Sequence, residues 1–134
     1  MSILLDTHAL LWWLGGADRV SRPASRAIAS ASTLFISTIT CWEVGRLLAK
    51  GRISLTVDPY RWFEGVFEGH DVEAVAPTSR MALIAGMLPD EGFHGDPADS
   101  LIYATAKERG IPLVTKDARI TEFARARRDV TLIW

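Results

Sequence analysis

Cysteine is nearly absent from this chain: Cys41 is the only one in 134 residues. One thiol cannot close an intrachain disulfide or supply the thiolates of a cysteine-based zinc site. A chain without disulfides suits a reducing, cytoplasmic setting. Excess charge of one sign is also missing. Lysine and arginine number 15 against 16 acidic residues, a net charge of −1. That excludes a protein that coats nucleic acid by bulk positive charge, so any contact with RNA or DNA needs a local patch. Long apolar runs are lacking. Ala9–Leu14, near the start, falls far short of the roughly 18 apolar residues of a membrane span. No basic leader precedes Ile3-Leu4-Leu5, so neither a membrane anchor nor a secretory signal is expected. Repeats and low-complexity tracts are missing too. What remains is ordinary globular composition, 49% hydrophobic and 23% charged, in a length suited to a single domain over residues 1–134.

The apolar residues come in short runs separated by helical patterns. Ile3–Leu5, Leu34–Ile36, Val72–Val75, Leu113–Thr115 and Val130–Ile133 read as strands, the first being the uniformly apolar kind that is buried on both faces. Between them, helical patterns cover Thr7–Leu14, Pro23–Ala31, Thr40–Lys50, Pro59 to Gly69, Thr78 onward and Ile120–Arg125. The clearest is Pro97–Arg109, where Ala98, Leu101, Ile102 and Ala106 form one face and Gly110 ends it. Residues 89–97 read as loop. Strands alternating with helices predict a three-layer α/β/α sandwich around a central, mainly parallel sheet of about five strands. Such sheets bind ligands at the carboxyl ends of their strands.

Acidic residues fall at those ends. Asp6 closes the first strand, Glu43 lies early in the helix after the second, Asp96 and Asp99 open the Pro97 helix, and Asp117 follows the fourth strand. Each has a local explanation. Asp6 suits a helix N-cap, Thr40-x-x-Glu43 a capping box, Asp96-Pro97-x-Asp99 a helix start, and Asp117 an Asx-turn. Together they imply more. Two carboxylates about 4 Å apart repel by roughly 4 kcal/mol at an effective dielectric of about 20. A fold tolerates that by protonating some of them or by holding a cation. All-oxygen ligands suit Mg²⁺ or Mn²⁺, the usual agents of phosphodiester chemistry. Helix N-termini at the same edge would attract anions and keep the acids ionised.

The same residues resemble a known family. Leu4-Leu5-Asp6-Thr7-His8-Ala9-Leu10-Leu11-Trp12 is similar to the opening of PIN-domain ribonucleases, and Ile36–Val44, His94–Ile102 and Leu113–Asp117 resemble their three later acidic motifs. The resemblance runs from Ile3 to the last strand. It is specific because four motifs occur in order. Compact members are mostly VapC-type toxins of toxin–antitoxin pairs. The resemblance therefore implies a Mg²⁺- or Mn²⁺-dependent endoribonuclease, a homodimer, and a small VapB-type antitoxin that blocks the site. It implies catalytic roles for Asp6, Glu43, Asp99 and Asp117. Asp6 and Asp99 would be direct metal ligands, Asp117 would complete the ring, and Glu43 would be a ligand or would steer the attacking water. Asp96 would be auxiliary. Cleavage by activated water would leave a 5′-phosphate and a 3′-hydroxyl. Many relatives carry arginine directly after the residue matching Asp99, where this chain has Ser100.

Thr7, Ser37, Thr38 and Thr115 are the hydroxyls placed to support the carboxylates. Arg46 and Lys50, with Arg52, and Lys116 and Arg119 flank the acids as candidate RNA contacts. Residues 107–128 hold seven basic against three acidic side chains, and residues 58–73 hold five acidic against Arg61 alone. The acidic segment, with Trp62, Phe63 and Phe67, suits either core packing or a basic, apolar partner peptide. Adjacent Trp12 and Trp13 cannot share a helix face. His8 and His94 read as structural. Two rival classes stay open. A phosphotransfer or phosphatase enzyme is disfavoured, since a dehalogenase-like site needs an acid where His8 stands and Asp58-Pro59 does not fit a receiver domain. The other is a non-catalytic RNA-binding or protein-interaction module on the same fold.

Overall fold

A computed structural model describes residues 1–16 and 18–134. Strand β1 (Ser2–Leu5) leads into helix α1 (Thr7–Leu14), and α2 (Arg22–Ser30) into β2 (Thr33–Ser37) and α3 (Thr38–Ala49). After α4 (Pro59–Glu64) come β3 (Val72–Val75), α5 (Ser79–Met87) and α6 (Pro97–Arg109). The chain ends with β4 (Leu113–Val114), α7 (Ala118–Arg127) and β5 (Leu132–Ile133). All strand pairs are parallel, in the order β3-β2-β1-β4-β5. Among the described residues no helix is long and apolar enough to cross a membrane.

The layering follows from the two-residue period of the strands. Ile3 and Leu5 of β1 face a core with Leu10, Ala24, Ile28 and Val66. Leu4, between them, faces the opposite core with Leu88, Ile102, Tyr103 and Ile120. All three β1 residues are fully buried, as a strand covered on both faces requires. Trp62, Phe63 and Phe67 are partly buried against the first core, which favours the packing reading of that acidic segment.

Several boundaries differ from the sequence reading, each for a local reason. Helix α3 starts at Thr38 because Ser37 caps it, its hydroxyl accepting from the Ile39 amide at 3.2 Å. The expected Thr40–Glu43 capping box therefore does not form; Thr40 lies inside the first turn and is fully buried. The helix expected from Pro59 to Gly69 breaks after Glu64 into a π-helical turn over Gly65–Gly69, where two glycines weaken the α-helical ladder. The start of the 89–97 segment, read as loop, belongs to a 3₁₀ turn over Leu88–Glu91. Strands β4 and β5 are shorter than expected, leaving Thr115 and Val130 outside them.

The order of strands matters most. From β1 the chain moves to β2 and β3 on one side and then crosses to β4 on the other. The carboxyl ends of β1 and β4 thus flank a topological switch point, where a crevice opens because successive crossovers diverge. Glycine has opposite value at two places in this scaffold. Gly110 ends α6 with φ +63, a conformation that strains any residue with a Cβ. Gly45 is exposed inside α3, with space for a Cβ around it. In urea denaturation, Gly110→Ala is expected to lose about 1 kcal/mol and Gly45→Ala to gain about 0.5–1 kcal/mol. Shifts of the same sign would contradict this account.

Candidate active site

The acids meet at the switch point. Asp6 follows β1 and is buried; its Oδ1 accepts from the Ala9 amide at 2.7 Å, capping α1, while Oδ2 accepts from the Thr115 hydroxyl beyond β4. Glu43 projects from α3, and its Oε1 accepts from the Thr7 hydroxyl at 2.5 Å. The Thr7 and Thr40 hydroxyls lie 3.1 Å apart, so α1 and α3 are tied together beneath Glu43. Asp96 caps α6, accepting from the Asp99 amide at 3.0 Å. Asp99 stands in the first turn with its Oδ2 2.7 Å from His94 Nε2. Asp117 caps α7, its Oδ1 accepting from the amides of Arg119 and Ile120 at 2.8 and 3.1 Å. The local explanations hold for Asp6, Asp96 and Asp117, but a cap engages one carboxylate oxygen; the second oxygen of Asp6 takes Thr115 and that of Asp117 takes Arg119, and each of these second oxygens keeps a further lone pair. Capping here aims these acids rather than consuming them.

One cavity of about 670 Å³ is lined by Asp6, Glu43, Asp96, Asp99 and Asp117. Glu43, Asp96 and Asp99 each place an oxygen within 4.8 Å of the others. His94, Asp99 and Asp117 do the same with a nitrogen and two oxygens. Asp99 belongs to both groups. Asp6 lines the same cavity but joins neither group, whereas Asp96, ranked auxiliary, joins one.

The acids do not all stay ionised, as the helix N-termini alone would have them. Burial lifts the Asp6 pKa to about 6, against the hydrogen bonds from Thr115 and Ala9. Burial lifts Glu43 to about 7, and the charges of Asp99, Asp96 and Asp6 add to it. Asp99 also moves upward, again chiefly through burial, despite its bond to His94. Only Asp117 moves downward: burial pulls it up, but hydrogen bonds from Ile120 and Arg119 outweigh that. Desolvation thus exceeds the helix-end field at the deeper positions. Buried carboxylates gathered around one cavity, with their pKa values raised chiefly by desolvation, are a donor set that a hard divalent cation relieves. The residues fit Mg²⁺ or Mn²⁺.

The other expected residues fall as follows. Thr7 and Thr115 donate to Glu43 and Asp6. Ser37 is spent on capping α3, and Thr38 is exposed; among the described residues neither hydrogen-bonds a carboxylate. Arg46, Lys50, Lys116 and Arg119 all line the cavity. Sequence reasoning set His94 aside. The structure places it against Asp99, with its Nδ1 buried and without a partner. Its position five residues ahead of Asp99, within the same motif, was the available signal.

The sequence model of the PIN domain matches residues 3–126. The chain is also 41% identical over 133 residues, 99% of its length and 98% of the relative's, to Ribonuclease VapC22 of Mycobacterium tuberculosis. The chain belongs to the PIN-domain family. Among solved structures it resembles VapBC-1 from nontypeable Haemophilus influenzae (TM-score 0.70, 19% identity, 98% and 96% of the two chains). It also resembles DNA-bound VapBC from Salmonella typhimurium (TM-score 0.65, 22% identity, 98% and 96%). In this PIN domain Ser100 is buried and donates to the Asp96 carbonyl at 3.0 Å. A basic group reaches the acids from α7 instead: Arg119 lies 3.3 Å from Asp117 and 3.9 Å from Asp99.

The raised acids have a consequence for stability. An unfolded glutamate binds its proton only below its ordinary pKa of 4.5, whereas folded Glu43 holds one up to about 7. Between those values the folded state binds more protons, so stability falls as pH rises through that window. The full shift corresponds to roughly 3 kcal/mol; Glu43 is only half-buried, and solvent screening leaves about 1 kcal/mol. In chelator, Glu43→Gln is expected to be more stable than wild type by about that amount at pH 8 and no more stable at pH 4. Thermal melts at both pH values check this, and a gain at pH 4 alone would reverse the sign.

Proposed function

We propose that this PIN domain is a Mg²⁺- or Mn²⁺-dependent endoribonuclease and the toxin of a toxin–antitoxin pair. The observation that carries the reading is the convergence of Asp6, Glu43, Asp96, Asp99 and Asp117 on one cavity rimmed by Arg46, Lys50, Arg52, Lys116 and Arg119. An acidic centre with a cationic rim suits a polyanion that must be held while one phosphodiester is attacked. The whole-length identity to a chain named a ribonuclease supports the same chemistry. A phosphatase site would not need cations along so extended a wall, and a mere binding module would not need so many carboxylates gathered in one cavity.

Asp99, Asp117 and Asp6 would hold the divalent cation, with Asp96 beside them. When bound, it neutralises phosphate charge and acidifies water. Glu43 is the general base. With Thr7 on Oε1, Oε2 is the atom that accepts the water's proton. Thr115 and the Ala9 amide fix Asp6 so that it does not swing when substrate arrives. Arg119 and Lys116 receive the phosphate on one side, Arg46 and Lys50 on the other. Attack by water in line with the leaving 3′-oxygen leaves a 5′-phosphate and a 3′-hydroxyl, and the ribose 2′-hydroxyl takes no part.

A VapB-type antitoxin and a homodimer complete the proposal; the likeness to VapBC assemblies supports the antitoxin. The test compares wild type with Asp6→Asn and Asp99→Asn on RNA, in Mg²⁺ and in chelator. Each variant, and chelation of wild type, is expected to lower cleavage by at least about 10²-fold, the scale for losing one electrostatic stabiliser of the transition state. Circular dichroism should show retained fold. Equal cleavage by all three proteins would assign the activity to a contaminant or another site.

A further inference from the structure

Trp42 immediately precedes Glu43 on α3, lines the acidic cavity and is 57% exposed. Of the large hydrophobic residues left exposed, it is the one on this cavity wall. The other tryptophan of the cavity, Trp12, is already surrounded. Lys116 and Arg19 sit over its ring at 5.6 and 5.9 Å, and Trp134 and His8 pack at 5.7 and 5.8 Å. Among the described residues, Trp42 has no such aromatic or cationic neighbour. Its indole is an open ring beside the general base.

The rest of that helix face is cationic. Arg46 and Lys50 follow Trp42 at successive four-residue steps, about 6 Å apart along the axis and on one side of the helix. Both are exposed, both line the cavity, and neither forms a salt bridge among the described residues. Gly45, directly before Arg46, is exposed, and a Cβ there would meet nothing within 4 Å. An apolar ring followed by two unpaired cations, with no acid on the same stripe, matches a single nucleic-acid strand: a base has a π-face, and its backbone is anionic. A protein partner docking on Trp42 would leave both cations without counter-charge unless it were itself acidic.

We propose that Trp42 is a nucleobase-stacking subsite next to the scissile phosphodiester, with Arg46 and Lys50 holding the phosphates that lead away from it along α3. The proposal rests on the ribonuclease reading of the acidic cavity. Stacking requires an unpaired base, so the nucleotide on Trp42 lies outside any duplex. Stacking is also tolerant of base identity, so this subsite sets strandedness rather than sequence.

The test uses Asp99→Asn protein as a cleavage-deficient background and two probes: labelled oligouridine, and the same strand annealed to oligoadenine. Fluorescence anisotropy in Mg²⁺ gives each Kd. Adding Trp42→Ala is expected to raise the single-strand Kd by about tenfold, the effect of losing one base–aromatic stack, and to leave the duplex Kd unchanged. Trp42→Tyr should restore most of the single-strand affinity. Arg46→Ala and Lys50→Ala should weaken both probes and flatten the salt dependence. The proposal is overturned if Trp42→Ala leaves single-strand Kd unchanged, or weakens both probes alike. It is also overturned if Trp42→Ala alters only the oligomeric state or binding of a co-expressed partner. Absence of single-strand binding in the background protein would overturn it too. Cleavage of RNA by wild type in Mg²⁺ separates that outcome from failure of the ribonuclease reading.

Discussion

Five carboxylates held around one cavity against their own repulsion set the terms for the rest of this molecule. A pair of charges about 4 Å apart opposes the fold by roughly 4 kcal/mol at an effective dielectric of about 20. The architecture responds with anchors that do not depend on charge balance. Thr115 and the Ala9 amide hold Asp6, Thr7 braced by Thr40 holds Glu43, and the first turn of α6 holds Asp99 below Asp96. These anchors come from the ends of β1 and β4 and from three helices that meet because the strand order reverses beside β1. Burial raises the pKa values of Asp6 and Glu43, and the charges of neighbouring carboxylates add to it. The site is thus a place where stability is surrendered for function.

The layered fold was legible because its signals are local. Apolar runs such as Ile3–Leu5 leave a strand little choice but double-sided burial, and the Asp96-Pro97 start and Gly110 stop of α6 are written in residues with restricted backbone geometry. The misread features depend on competition between neighbours. Ser37 and Thr40 both suit an N-cap, and only the end of β2 decides for Ser37. The π-helical turn after Glu64 reflects two glycines within a segment whose aromatic periodicity still looks helical.

The site was legible as a set but not as a geometry. Strand-end positions predicted that Asp6, Glu43, Asp99 and Asp117 would share an edge, and they do. Nothing in their spacing told which oxygens would approach closest. That depended on helix phase: α6 turns Asp99 toward Asp96 and Glu43 on one side and toward His94 and Asp117 on the other. His94 was passed over because a single histidine carries little information until its neighbour is known. Arg119 shows the same limit from the other direction. Ser100 follows Asp99 in the chain, yet a guanidinium reaches the acids from α7, a proximity visible only in three dimensions.

The balanced net charge of −1 hides a strong separation over the cavity, with five acids at its centre and five cations on its wall. Such a pattern makes the sign of the local field depend on what the carboxylates hold. While they are bare, the centre repels a phosphodiester and the rim can retain only the flanking nucleotides. Once their charge is compensated, by protons or by a divalent cation, the rim dominates and the scissile phosphate can enter. In the proposed reading, the outer stripe of Trp42, Arg46 and Lys50 would act before chemistry begins, keeping a strand in register at a site whose bare centre does not attract it.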